Sequence, residues 1–230
     1  SIAWFSSQNN PLNSPTFEKT FETIQKIRNE FYPQVQFTNL PAFYNHKDYI
    51  RVLSNSIQNH LKDKKWDHIL FSYHGIPERH IRKSDITKSH CKIDKSCCQT
   101  SSKAHQYCYR HQCYETTRQV AEYLELKEGT FSTSFQSRLG LDPWLRPYTD
   151  KTVAKFAKKG VKKMAIATPA FVSDCLETLE EIGMEAAEDF EEKGGEKLFV
   201  IPCINDRPDW VNVMSRWIDE WALAETAKTL

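Results

Sequence analysis

Short apolar runs alternate with amphipathic helical segments along most of this chain, and this alternation restricts its fold more than any other feature. Strand-like runs lie at residues 35–38, 68–72, 131–135, 163–168 and 197–201. Helical periodicity fills residues 15–31, 49–61, 114–126, 149–158, 173–192 and 208–223. Because such alternation is typical of strands joined by crossover helices, it predicts an α/β fold with a mostly parallel sheet.

Polar residues follow three of the predicted strands. They are Tyr73-His74-Gly75, Gln136-Ser137-Arg138 and Pro169-Ala170-Phe171. In a parallel sheet the carboxyl ends of the strands meet at one edge, where ligands bind, so we expect the three segments to converge there. His74 is the candidate base at this edge, although a lone histidine is more often structural.

Three glutamates recur at four-residue intervals in the helical segment 173–192. Glu177, Glu181 and Glu185 would lie along one face of a helix with a modest drift. One interpretation is a solvated acidic face, and the other is a track of hard oxygen ligands that holds or passes a divalent cation.

Five of the seven cysteines lie between residues 91 and 113, in a polar segment at 80–112 without clear periodicity. The spacing C-x5-C-C-x9-C-x4-C lacks a C-x2-C pair, so it fits a zinc ribbon poorly, whereas four thiolates suit a 2Fe-2S cluster. Zinc and free surface thiols stay open as alternatives, and His90, His105 and His111 are substitute ligands. Cys175 and Cys203 stand apart and are expected to act as small buried residues.

The composition excludes several classes of function. The chain has 230 residues, 31 basic and 30 acidic, with a formal net charge of +1, so no global charge attracts it to nucleic acid. The odd, clustered cysteines argue against a secreted disulfide framework. No apolar run approaches the roughly 20 residues of a membrane span, and no signal peptide is recognisable. We therefore expect a cytoplasmic protein or one bound peripherally to a membrane.

Three motifs, in order, resemble the ferrochelatase family, enzymes that insert Fe2+ into protoporphyrin IX to form haem. They are FSYHGIPE at 71–78, FQSRLGLDPWL at 135–145 and FVSDCLETLEEI at 171–182. The resemblance implies a class II chelatase-like α/β fold, Rossmann-like, with parallel four-stranded sheets flanked by helices and a cysteine-rich insertion at 80–113. It further implies a remnant of the N-terminal chelatase domain at 1–41, a C-terminal chelatase domain at 42–205 and a closing helix at 206–230. The family's opening strand and the upper lip of its porphyrin pocket are not found, so we expect the chain to lack the family's N-terminal portion.

The resemblance also assigns roles to individual residues. His74 corresponds to the family histidine that accepts pyrrole protons or binds iron, and Glu177 to its partner carboxylate. Glu181 and Glu185 continue the acidic helix and handle iron or protons. The residues expected to contact the porphyrin are Tyr73, Pro77, Ser137, Trp144 and Phe171.

Certain bacterial ferrochelatases carry a 2Fe-2S cluster on an internal cysteine segment, and the present segment resembles it. Because Cys97 and Cys98 are adjacent, only one is expected to ligate, which gives the set Cys91, Cys98 or Cys97, Cys108 and Cys113. The implied substrates are protoporphyrin IX and Fe2+, with at most weak peripheral membrane contact and an open oligomeric state. The alternatives are a chelatase for another metal or tetrapyrrole, and a non-catalytic iron-sulfur binding or sensing protein on a truncated chelatase domain.

Overall fold

The computed structural model describes residues 2–4, 15–35, 37–39, 42–94 and 96–227. The strands are β1 (Ile2–Trp4), β2 (Phe37–Asn39), β3 (His68–His74), β4 (Phe131–Gln136), β5 (Lys163–Ala167) and β6 (Lys197–Val200). The α-helices are α1 (Pro15–Phe31), α2 (Lys47–Leu61), α3 (Glu78–Ser84), α4 (Tyr109–Tyr123), α5 (Thr149–Lys158), α6 (Ala186–Glu192) and α7 (Pro208–Ala227). A 3₁₀ turn at Lys103–Gln106 and a π-helix at Glu177–Glu185 complete the described elements. None of the described helices is both long and apolar enough to cross a membrane.

The main sheet has four parallel strands in the order β4-β3-β5-β6, which confirms the predicted α/β fold with a parallel four-stranded sheet flanked by helices. β1 and β2 form a separate two-stranded parallel pair within the segment 1–41, much of which lies outside the described residues. The proposed boundaries of the domains stay a prediction.

The central strand β3 is buried on both faces, because its side chains alternate between two cores. Ile69, Phe71 and Tyr73 pack into the core formed with α2, α4 and α7. Leu70 packs on the opposite face, against α5, α6 and the π-helix. The two helical layers therefore cover the sheet and leave the carboxyl ends of its strands at one edge.

The cysteine-rich segment contains more regular structure than its sequence suggested. It holds the 3₁₀ turn and the first turn of α4, which begins at Tyr109 and not near residue 114. The buried face of that turn consists of Tyr109, Arg110, Gln112 and Cys113. Because half of that face is polar, apolar periodicity could not reveal this part of the helix.

The predicted helix at 173–192 is a π-helix followed by the α-helix α6. Its buried residues, Thr178, Ile182, Ala186 and Phe190, recur every four positions. This spacing is wider than the 3.6 residues of an α-helical turn, and the i→i+5 bonding of a π-helix widens each turn. π-Helical segments of this kind are rare and occur mostly at functional sites.

Candidate active site

Strands β3 and β4 end side by side, and their ends form the base of the site. His74 pairs with Gln136, and the Gly75 N–H donates to the Gln136 carbonyl at 2.7 Å. A Cβ at position 75 would stand 2.7 Å from that carbonyl oxygen and 3.3 Å from Cε3 of Trp144. Only glycine permits this approach, and it brings the Trp144 indole against the strand end.

The loop that carries Trp144 is tied to the segment after β3. Pro77 and Trp144 form an isolated bridge, and the Leu145 N–H donates to the Ile76 carbonyl at 3.0 Å. The indole N–H of Trp144 donates to the Leu139 carbonyl at 2.8 Å. The structure thus brings Pro77 and Trp144 together, next to the segment that follows His74.

His74 is the last residue of β3. Its Nδ1 lies 2.6 Å from the Gly75 carbonyl oxygen, which accepts only, so Nδ1 carries a proton, and in the neutral form of the ring Nε2 presents a lone pair. The Phe171 ring stands edge-on to the imidazole with 6.2 Å between ring centroids. The Tyr109 hydroxyl donates to the His74 carbonyl at 2.8 Å and holds the backbone of His74 in place.

Glu177 is the first residue of the π-helix and is half-buried. A hydrogen bond from the Cys175 thiol holds the pKa of the Glu177 carboxyl below its ordinary value, and the nearby His74 adds a smaller effect in the same direction. The carboxyl is therefore ionised at neutral pH.

Sequence reasoning missed the residue that anchors the start of the π-helix. The Asp174 carboxylate accepts hydrogen bonds from the Cys203 N–H at 3.2 Å, from Asn205 Nδ2 at 2.7 Å and from the Thr178 hydroxyl at 3.1 Å. An aspartate just before a helical run is a recognised capping signal, and this signal was available in the sequence. The network fixes the helix start, and hence Glu177, to the loop after β6.

Glu181 is held by Ser137, which follows β4. The Ser137 N–H donates to Glu181 Oε1 at 2.8 Å, and the Ser137 hydroxyl donates to Oε2. Ser137 has φ +60°, an uncommon value for a residue with a side chain, and this conformation turns both donors toward the carboxylate. Glu181 and the exposed Glu185 border a cleft of about 400 Å³ that Asp150, Asp189 and Arg138 also line.

The predicted porphyrin residues do not all reach the surface of the site. Tyr73 is fully buried, and its hydroxyl hydrogen-bonds to Thr117 in the core at 2.8 Å, so the expected direct contact is corrected to a supporting position. Successive side chains of a strand point to opposite faces, so the Tyr73 side chain points into the core while that of its neighbour His74 points toward the site. Two exposed leucines that the motif reasoning did not single out, Leu139 and Leu141, extend the apolar surface beside Trp144.

Three of the predicted cysteine ligands come together. The thiols of Cys91 and Cys98 both hydrogen-bond to Cys108, and these bonds lower the pKa of the Cys108 thiol well below its ordinary value. Their own pKa values are raised, first because they donate to Cys108 and then through burial. The three sulfur atoms therefore form one hydrogen-bonded group centred on Cys108.

Cys97 and Cys113 differ in their relation to this group. Cys97 is buried, and it contributes to raising the pKa of both the Cys91 thiol and the Cys98 thiol. Cys113 is fully buried in the sheet core, and its thiol is hydrogen-bonded to Tyr109. The sequence predicted a ligand set with Cys113 and only one of Cys97 and Cys98. These interactions give more support to a set that contains both Cys97 and Cys98.

Arg110 supplies positive charge to the sulfur group. Its side chain is only 7% exposed, and its Nη1 donates to Cys97 Sγ at 3.5 Å, to Cys98 Sγ at 3.7 Å and to the Asp94 carbonyl at 2.8 Å. A buried guanidinium is costly unless an anion compensates it, and the negative charge of a metal cluster bound at Cys97 and Cys98 would do so.

The donor set fits a 2Fe-2S cluster better than a single ion. Among the described residues, no three His, Cys, Asp or Glu side chains are arranged to hold one metal ion. A 2Fe-2S cluster takes two thiolates at each iron, so its four sulfurs do not have to converge on one point. Three buried cysteines and the half-buried Cys98, beside a buried arginine, meet that requirement.

The fold and the site define an α/β domain of the chelatase class, with a histidine at a strand end facing a carboxylate-bearing π-helix. A family model described as ferrochelatase matches residues 10–222. The chain belongs to the ferrochelatase family.

Curated relatives agree with this assignment. A ferrochelatase of Pseudomonas syringae pv. syringae is 44% identical over 183 residues, which cover 80% of this chain and 54% of the relative. One from Pseudomonas fluorescens Pf0-1 is 42% identical and covers 91% and 61%, and one from Opitutus terrae is 43% identical and covers 84% and 55%. The chain thus spans between half and two thirds of the length of these relatives.

Proposed function

We propose that the protein is a protoporphyrin ferrochelatase, a lyase that inserts Fe2+ into protoporphyrin IX to form haem in the last step of haem biosynthesis. The observation that carries this proposal is the combination of His74, whose Nδ1 donates to the Gly75 carbonyl at the end of β3, with the ionised carboxylate of Glu177, whose pKa His74 helps to lower. The relatives' name supports the same reaction. Neither a sensing protein nor a chelatase for another metal gains a supporting observation.

Metal insertion requires removal of two pyrrole N–H protons and access of the ion to the ring nitrogens. His74 Nε2 acts as the general base, because its Nδ1 proton is engaged by the Gly75 carbonyl. Trp144 and Phe171 bound the macrocycle cleft with apolar surface, which keeps water from competing for the ring nitrogens.

The carboxylates provide hard ligands for the substrate ion or acceptors for its displaced protons. Glu177 is the carboxylate whose pKa His74 helps to lower. Glu181, preorganised by Ser137, and the exposed Glu185 continue the series toward solvent. The order of these three side chains on one helix suits a path between solvent and the porphyrin.

We further propose a 2Fe-2S cluster as a resident cofactor on Cys91, Cys97, Cys98 and Cys108, with Cys113 as the alternative to Cys97. The burial of Arg110 against Cys97 and Cys98 supports this choice. When bound, the group would tie residues 91–108 together; its role in the reaction is left as structural or regulatory, since metal insertion is not a redox step. A cytoplasmic location with weak peripheral membrane contact stays a prediction from the sequence.

Haem formation by the anaerobically purified chain, supplied with Fe2+ and protoporphyrin IX, tests the proposal. General base catalysis contributes about 10²–10⁴-fold, so His74→Ala should slow haem formation by at least about 100-fold. His60→Ala on helix α2 is the matched control and should keep the wild-type rate. No haem from the wild type, or equal rates in all three proteins, would refute the proposal.

A further inference from the structure

Two buried tyrosines reach the strand ends of the site from the helical layer on one side of the sheet. Tyr49 on α2 is fully buried, and Tyr109 at the start of α4 is 5% exposed. The Tyr49 hydroxyl donates to the Pro169 carbonyl at 2.6 Å, and the Tyr109 hydroxyl donates to the His74 carbonyl at 2.8 Å. Each phenol therefore holds the backbone at the carboxyl end of a different strand, β5 or β3.

The pairing of β3 with β5 does not extend to these two carbonyls. It ends at Phe71 and Ala167, so it stops short of both His74 and Pro169. Beyond that point the two neighbouring strand ends follow separate courses. Contacts from the helical layer therefore set the distance between them.

The segment after β5 brings Phe171 to the imidazole of His74. The Phe171 N–H donates to the Thr168 carbonyl at 3.0 Å, so Pro169 lies inside the turn that ends at Phe171. The Phe171 ring stands edge-on to the imidazole, with 6.2 Å between ring centroids. A movement of Pro169 would thus displace the ring that faces the imidazole.

Both phenols are held by packed neighbours. The Tyr49 ring lies edge-on to Phe43 and to Trp210, with 5.1 Å and 6.0 Å between ring centroids. The thiol of Cys113, one turn further along α4, is hydrogen-bonded to Tyr109. Because side chains in a close-packed core cannot shift without displacing their neighbours, the two hydroxyls are fixed in position.

We propose that Tyr49 and Tyr109 are positioning residues for metal insertion, which together set the separation between His74 and Phe171. This inference rests on the proposed function, in which His74 accepts pyrrole protons and Phe171 bounds the macrocycle cleft. Both phenols are buried, so they act through the two backbone carbonyls and not by contact with the substrate. A misplacement of about 1 Å can slow a reaction about 100-fold, so loss of either hydroxyl should affect catalysis.

Tyr49→Phe and Tyr109→Phe test the proposal, because they keep the ring and remove only the hydroxyl. In protein with ¹⁵N-labelled histidine, the NMR resonances of the His74 ring, assigned with His74→Ala, report its position relative to Phe171. Phe171→Leu gives the sign and size of the ring-current effect on them. We expect these resonances to shift in both tyrosine variants, and kcat for haem formation to fall about 10–100-fold.

Two further variants are controls. Tyr123→Phe, at the opposite end of α4 from Tyr109, removes a hydroxyl that lies 3.4 Å from Asn55 Oδ1 on α2, and it should leave kcat and the His74 resonances unchanged. Val153→Ala truncates a fully buried side chain of α5 in the core on the other face of the sheet. It should lower the midpoint of thermal unfolding and leave the His74 resonances in place, which separates positioning from a general loss of stability.

The NMR measurement does not depend on turnover, so it separates this proposal from the proposed function. Unmoved His74 resonances in both tyrosine variants would overturn the proposal, as would a wild-type kcat in both. If the wild type forms no haem, the proposed function fails, and the His74 resonances alone decide whether the phenols hold the strand ends.

Discussion

Replacement of Gly75 by alanine tests how tightly the strand end and Trp144 are packed. The new Cβ would lie 2.7 Å from the Gln136 carbonyl oxygen, a backbone atom that moves only with strand β4. Overpacking of this kind costs about 1–3 kcal/mol. For a domain of about 150–250 residues each kcal/mol lowers the midpoint of thermal unfolding by about 2–4 °C, so we expect a decrease of about 2–12 °C.

Gly183→Ala in the π-helix is the matched control. Its Cβ would meet the Thr178 carbonyl oxygen at 3.4 Å, an ordinary contact, and alanine is favoured over glycine within helices by about 0.5–1 kcal/mol. Thermal unfolding followed by circular dichroism should therefore move in opposite directions for the two variants. Equal midpoints, or a more stable Gly75→Ala protein, would show that the strand end is not tightly packed.

Further predictions concern the acidic helix and the sulfur group. Cys175→Ala removes the donor that lowers the pKa of Glu177, so the carboxylate should protonate at a higher pH, and the acidic limb of the kcat/KM profile should shift upward; an unmoved limb would contradict this. Cys97→Ser should lose the iron, sulfide and visible absorbance of the cluster, whereas Cys113→Ser should keep them, and the reverse result would restore the set with Cys113. Arg110→Met should accelerate loss of the visible bands to a chelator by about 10–150-fold, since hydrogen bonds to charged groups contribute about 1.5–3 kcal/mol; an unchanged rate would remove the arginine from the surroundings of the proposed cluster.

Patterns of apolar residues predicted the main sheet, because β3 to β6 are buried strands between amphipathic helices. The same patterns did not predict the elements whose buried faces include polar side chains. The first turn of α4 buries Arg110 and Gln112, and the π-helix buries residues at intervals that an α-helical template nearly fits. In both places tertiary packing decides the local structure, and hydrophobic periodicity does not record it.

The motifs single out His74 and the three glutamates, but they do not predict the contacts that hold these side chains. The left-handed backbone of Ser137 and the hydrogen bonds around Asp174 depend on residues 29 to 44 positions away in the sequence. Tyr73 shows that a residue inside a motif does not always reach the site. It lies within the histidine motif, yet strand alternation turns its side chain into the core.

The cysteine-rich segment is part of the same packed unit as the catalytic strand, although the sequence suggested an insertion. Cys108 caps helix α4, and the next residue, Tyr109, donates its hydroxyl to the His74 carbonyl. Tyr109 is only 5% exposed, so its ring cannot adjust without disturbing the core. A change that moves Cys108 is therefore expected to shift the start of α4, and with it the Tyr109 phenol and the backbone of His74. Cys108 and His74 are linked by one peptide bond, the Tyr109 side chain and one hydrogen bond, so we expect a loss of order in residues 91–108 to alter the position of His74.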